Sequence, residues 1–240
     1  MTLEIAANSV ASAVAAQQGG ASRVELCGGL ELGGITPSPA IIAMVRERIS
    51  VPVYVLIRPR AGDFLYNDDE CEAMRRDIAW CVSQGIDGVV IGVLDAQGQV
   101  DVARCRPLVD AAGPMGITFH RAFDLAREPV RALEDVIGLG CERILTSGGQ
   151  PSALEGSALI ADLVGRASGR LSIMPGAGVT SANIRALAQV TGATEFHASA
   201  KRSIASGMSW RAQALQDMQG GEWRTDEQEV RALVAALAVA

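Results

Sequence analysis

An α/β fold, a single (β/α)8 TIM-type barrel, is what this sequence predicts, and three observations predict it. Strand-like apolar runs alternate with helix-length amphipathic runs eight times, from the first residues almost to the last. The 240 residues are what one such barrel uses, roughly 250 in the typical case. No Gly-x-Gly-x-x-Gly follows the first apolar run, which argues against a dinucleotide-binding open sheet.

The elements follow in order. Strands are expected over residues 3–8, 23–27, 53–57, 88–93, 116–120, 143–147, 171–174 and 194–197. Helices are expected over 9–18, 37–49, 68–84, 102–112, 129–139, 153–165 and 181–190, with a last one over 226–238. Ser9, Ser38, Asp68, Asp101 and Thr180 stand where side-chain oxygens cap a first helical turn, and Gly19, Gly85, Gly140 and Gly192 stand where helices end. No low-complexity linker breaks the pattern, so residues 1–240 are expected to form one domain. Residues 200–225 are an extra excursion before the C-terminal helix, carrying Lys201, Arg202, Trp210 and Trp223. The loop 59–67, with Arg60, Gly62, Asp63, Phe64 and Tyr66, also exceeds what a connection needs, and long loops usually serve as lids or binding surfaces.

Composition removes several function classes. Hydrophobic residues at 49% and charged ones at 20% suit a globular protein with a large core. A net charge of −6 speaks against nucleic acid or an anionic membrane as partner, since both demand a basic face. The five cysteines are scattered without a Cys-x-x-Cys pair, so neither a disulfide framework nor a structural zinc site is expected. Lys201, the one lysine, lies beyond the eighth strand, which disfavours an imine-forming aldolase. With no basic-then-apolar leader and no apolar run near the roughly 20 residues that span a bilayer, the expected location is the cytoplasm.

Side chains alternate faces along a strand, so each strand divides into two sets. Leu3 with Ile5, Val24 with Leu26, Val53 with Val55 and Ile57, and Ile117 with Phe119 are the apolar sets. They must face the helices, because a charge trapped between sheet and helix is costly to desolvate. The other sets then point into the barrel: Glu4, Glu25, Arg58, His120, Glu195 and His197, with Cys27 and Met174 beside them. An ordinary barrel interior is filled by Val, Ile and Leu. Any one of these polar residues alone suits a structural network, but together at strand ends they suit a site. His120 and His197, the two histidines, stand out because imidazole titrates near neutrality.

The chemistry these residues offer is acid–base. His120 and His197 are candidate acids or bases, Glu25 or Glu195 their carboxylate partners, and Arg58 an anion clamp. The loop residues Arg60 and Asp63, then Arg121 and Asp124, lie beside them as substrate-binding candidates. Thr146, Ser147 and Gly148 end the sixth strand, and Gly176 and Gly178 end the seventh, with Ser199 after the eighth. Barrels often bind phosphate through backbone N–H groups in these last loops. No ligand-spaced histidine pair exists within a strand. A soft-metal site would have to draw on Cys27 and Met174, a harder one on the histidines and glutamates.

Six segments carry a family resemblance: Arg23-Val24-Glu25-Leu26-Cys27, Gly33-Gly34-Ile35-Thr36-Pro37-Ser38, residues 57–64 from Ile57-Arg58-Pro59-Arg60 to Phe64, residues 118–124, Leu145-Thr146-Ser147-Gly148-Gly149 and Glu195-Phe196-His197. In this order, over about 200 residues, they resemble the copper homeostasis protein CutC family. The resemblance implies a cytoplasmic TIM barrel, a homo-oligomer, and a link to copper tolerance and copper binding. Two hypotheses result. One is a copper-handling protein that holds copper(I) through Cys27 with Met174 or a histidine. The other is an enzyme doing acid–base chemistry on a small anionic or phosphorylated substrate.

Overall fold

The computed structural model describes residues 1–211, 214 and 220–238; residues 212, 213, 215–219, 239 and 240, several of them inside the expected excursion, lie outside the described residues. Eight parallel strands form one sheet: β1 (Thr2–Ala7), β2 (Arg23–Leu26), β3 (Val53–Leu56), β4 (Gly88–Ile91), β5 (Gly116–Phe119), β6 (Arg143–Thr146), β7 (Ser172–Pro175) and β8 (Glu195–Ala198). Their order, β7-β6-β5-β4-β3-β2-β1-β8, places β8 beside β1, with Glu4 level with His197. β7 and β8 then come together across the seam, where a Cβ at Gly176 would stand 3.4 Å from the His197 Cβ. The sheet is therefore nearly closed, the TIM-type barrel that the alternation predicts.

The helices α1 (Val10–Gly19), α2 (Pro39–Arg48), α3 (Asp68–Ser83), α4 (Val102–Ala112), α5 (Pro129–Leu139), α6 (Ser157–Ala167), α7 (Ile184–Thr191) and α8 (Glu227–Ala238) alternate with the strands. Their starts follow local chemistry. Ser9 and Ser38 cap α1 and α2 as expected, and Asp101 caps α4. At α3 the cap is Asn67 rather than Asp68, because Asn67 and Glu70 exchange hydrogen bonds in a capping box. Thr180 does not cap α7: residues 180–183 make a separate turn, with the Thr180 N–H donating to Asn183 Oδ1, and α7 starts after Asn183. The start of α6 is later than residue 153, because the Ala153 N–H is drawn to the Ala177 carbonyl of the β7 loop.

Alternation along the strands sorts the core into two bodies. Leu3, Ile5, Val24, Leu26, Val53, Val55 and Ile57 pack outward into one cluster with helix residues such as Met74, Ile78, Leu133 and Leu163. Cys27, Tyr54, Leu56 and Val90 form a second, smaller cluster inside the barrel. The Tyr54 ring lies across β4 and β5, which explains two glycines: a Cβ at Gly88 would come within 2.2 Å of Tyr54 Cε1, and one at Gly116 within 2.1 Å of its hydroxyl oxygen. After β8 the chain makes an antiparallel hairpin, β9 (Lys201–Ile204) and β10 (Glu222–Thr225), where no strands are expected from the sequence. The runs are short and exposed, so no alternation marks them.

Candidate functional site

Charge fills the barrel from its amino-terminal end upward. Arg23 and Arg143 open β2 and β6, and Glu195 opens β8, so their side chains meet at the floor. Glu195 Oε2 accepts from Arg143 Nε at 2.7 Å and from Arg23 Nη2 at 2.9 Å. Arg143 Nη1 also donates to Thr118 Oγ1 at 3.0 Å and to Glu142 Oε1 at 2.9 Å, and the Tyr54 hydroxyl donates to that same Glu142 oxygen. Both guanidinium carbons stand over the Tyr54 ring, 5.0 and 5.4 Å from its centre. Arg23 Nε pairs with Glu4 Oε2 on the next level up.

The carboxyl-terminal half opens into a cavity of about 1040 Å3, the upper end of the small-molecule range. Its wall includes Glu25, Cys27, Arg58, His120, Arg121, Asp124, Gly178, His197 and Ser199, drawn from loops or ends of β2, β3, β5, β7 and β8. His197 Nδ1 lies 2.8 Å from Glu4 Oε1 and 3.7 Å from Glu25 Oε2. Glu25 Oε2 is sealed from water and has no hydrogen-bond partner. Burial pushes the Glu25 carboxyl up to about 7, against the pull of His197. Burial also works to raise Glu4, but the His197 hydrogen bond and Arg23 hold it down at about 2. Burial alone would lower His197; the Glu25 and Glu4 carboxylates outweigh it and raise its pKa. The result is a line of Arg23, Glu4, His197 and Glu25 in which burial holds the last carboxyl above the ordinary carboxylate range.

A second group faces this pair. Burial, then the Arg58 charge, pushes His120 down to about 3, so its ring is neutral. Its Nδ1 accepts the Ala122 N–H at 3.1 Å, which assigns the ring proton to Nε2, and that atom has no acceptor. Arg58, 7% exposed, donates from Nη1 to the Gly34 and Leu32 carbonyls and from Nη2 to the Gly62 carbonyl, while Nε has no partner. No carboxylate pairs with it among the described residues. Phe64 lies against both groups, its ring centre 5.0 Å from the Arg58 guanidinium carbon and 4.8 Å from the His120 ring centre.

Not every expected residue arrives here. Glu195 belongs to the floor and is absent from the cavity wall, because it precedes His197 by two residues on a short strand. Alternation gives the face of a residue and not its depth. Arg60 and Asp63 turn outward, since β3 stops at Leu56: Arg60 bonds Glu70 at 2.6 Å and Asp63 at 3.0 Å and covers Tyr66. Thr146, Ser147 and Gly148 curl around Asp124 instead of an open space. The Thr146 and Ser147 hydroxyls and the Ser147 and Gly149 N–H groups all donate to the Asp124 carboxylate, and Arg121 Nε donates to it at 2.7 Å. Gly176 stays behind the wall, against Leu145 and His197. Arg143 and Glu229 went unnoticed in the sequence; alternation within 143–147 would have turned Arg143 inward with Leu145, whereas nothing local marks Glu229.

The sequence model of the CutC family matches residues 1–202. The chain belongs to the CutC family. A family protein CutC from Xanthomonas campestris pv. campestris strain B100 is 56% identical over 240 residues, the whole of both chains. The mouse copper homeostasis protein cutC homolog is 48% identical over 209 residues, 87% of this chain and 77% of that one. The crystal structure of a copper homeostasis protein CutC from Streptococcus agalactiae is 32% identical, covers 83% of this chain and 98% of its own, and superposes with a TM-score of 0.79.

Copper(I) asks for soft sulfur donors, and this CutC-family barrel does not assemble them. Among the described residues Cys27 is the one sulfur on the cavity wall, where burial and the Glu25 charge push its thiol far above the ordinary range. Met174 Sδ accepts from Arg23 Nη2 at 3.5 Å, away from the cavity wall. The described His, Cys, Asp and Glu side chains that do gather within metal-binding reach are Glu4, Glu25 and His197, a hard set whose Glu4 already holds Arg23 and His197.

Proposed function

We propose that this barrel is an enzyme that moves a proton next to a carbonyl of a small organic anion, with Glu25 and His197 as the proton-handling pair. The observation that carries the reading is the Glu25 carboxyl: buried on the cavity wall, without a partner on Oε2, and beside an imidazole that Glu4 orients. His120 and Arg58 receive the anionic group, and Ser199 and Gly178 lie on the wall where the rest of the molecule passes. The cytoplasm and a homo-oligomer, both implied by the family, belong to the same reading. The test is deuterium wash-in: the full chain is incubated in heavy water with 2-oxo acids and with phosphorylated ketoses. Glu25→Gln is expected to lower incorporation by about 10²- to 10⁴-fold. Equal incorporation by both proteins contradicts it.

The copper link carried by the relatives' names supports a second, narrower reading in which Cys27 takes up copper(I) at the cavity wall. Its one local support is that the thiol lies there. Anaerobic titration against a copper(I) chelator decides: an affinity that Cys27→Ala leaves unchanged removes it.

A further inference from the structure

Two loops at the carboxyl-terminal end of the barrel, after β6 and β7, each hold one of the protein's own carboxylates. After β6, Asp124 accepts two backbone N–H groups and two hydroxyls, as a bound anion would. After β7, Glu229 reaches back from α8: the Ser181 N–H donates to Oε1 at 2.8 Å and the Ser181 hydroxyl to Oε2 at 3.0 Å. Bringing a dianionic ligand into either loop means expelling or opposing a carboxylate.

What remains in the wall is small and countable. Arg58 gives three of its five N–H groups to carbonyls and keeps two, one at Nε and one at Nη2. His120 keeps one N–H, at Nε2. These three donors carry a single positive charge, which answers one negative charge. They leave the second charge of a phosphate unanswered. The remaining cations on the wall are Arg121, paired with Asp124, and Lys201 and Arg202 of the hairpin, over Trp223 and 3.7 Å from Asp226. Asp226 and Glu229 offset their charge at the mouth.

We infer that the anion this cavity accepts is a carboxylate held by Arg58 Nε and His120 Nε2, and that phosphate esters are not its substrates. This rests on the acid–base reading above and names its substrate class. Both donor atoms are sealed from water, with the Phe64 ring against Arg58 and His120, so binding there requires that ring to give way to a ligand oxygen.

The experiment follows the Arg58 Nε–H and His120 Nε2–H resonances of the full chain while acetate, and separately inorganic phosphate, is added. Acetate is expected to shift both. Its affinity, read from neighbouring backbone signals, falls about tenfold or more in Arg58→Gln and in His120→Phe. Phosphate is expected to bind more weakly and without dependence on Arg58. The paired variants, each checked for a native melt, guard against one that fails to fold. Phosphate that outcompetes acetate and depends on Arg58 overturns the substrate class while leaving Glu25-dependent proton exchange standing. Acetate that is indifferent to both variants overturns the inference outright. Loss of proton exchange in heavy water, with acetate binding intact, instead removes the acid–base reading beneath it.

Discussion

At the scale of single residues, the proposed proton handling rests on Glu25. Its folded pKa, about 7, lies above the ordinary 4.5, so between these values the folded chain holds a proton that the unfolded chain has released. Stability from this group is therefore greatest at low pH and is lost as pH rises through 7. Glu25→Gln removes the penalty, and we expect urea denaturation to show the variant more stable than the parent at pH 8 by up to ~3 kcal/mol, with little difference at pH 4. A part of that gain is forfeited because His197 loses one of the two carboxylates that keep it charged. Much of this neighbourhood was readable from the chain alone. Strand alternation put Glu25, Arg58, His120 and His197 on the inner face, and strand ends put them at one rim. It failed for Glu195, whose inward face is right and whose depth is wrong, and for Arg60, where the strand ended before the alternation could carry it. The embraces of Asp124 by the β6 loop and of Glu229 by Ser181 join residues 22 to 48 apart, and no local pattern announces such pairings.

Among elements, the barrel floor and the barrel mouth do different work. The floor ties β2, β6 and β8 through Arg23, Arg143 and Glu195, all nearly buried. Glu195→Ala leaves two guanidinium groups facing each other without their shared carboxylate, and a loss of about 3–5 kcal/mol in chemical denaturation is expected. Acetate binding at the mouth should not change in any fraction that folds. The Tyr54 ring makes the second prediction. Gly88→Ala drives a methyl into that ring and should cost about 1–3 kcal/mol, whereas in a Tyr54→Ala background the same substitution should cost almost nothing. Equal costs in both backgrounds would mean that Tyr54 does not lie across β4. The helices were largely readable from caps and glycines. The exceptions, the late starts of α6 and α7, have tertiary causes in the β7 loop, and the β9–β10 hairpin has no apolar alternation to betray it.

In the molecule as a whole, a nearly closed sheet with a charged interior sets a paired floor beneath the cavity in which we propose proton exchange. Among the described residues no helix is long and apolar enough to cross a membrane. The family carries a copper name, and this chain's cavity carries one buried thiol, a neutral imidazole, a guanidinium with no carboxylate partner among the described residues and a carboxyl raised above its ordinary range. Removing the floor should unfold the barrel; removing the cavity groups should leave it folded and inert. The measurement that tests this most directly is a carbon-13 carboxyl titration of Glu25 in the full chain, with His197 followed in parallel through its ring signals. Glu25 is expected to titrate with an apparent pKa about 7, coupled to a His197 whose own midpoint lies above the usual value, while Glu4 stays ionised throughout. A Glu25 midpoint at the ordinary 4.5, independent of His197, would contradict it.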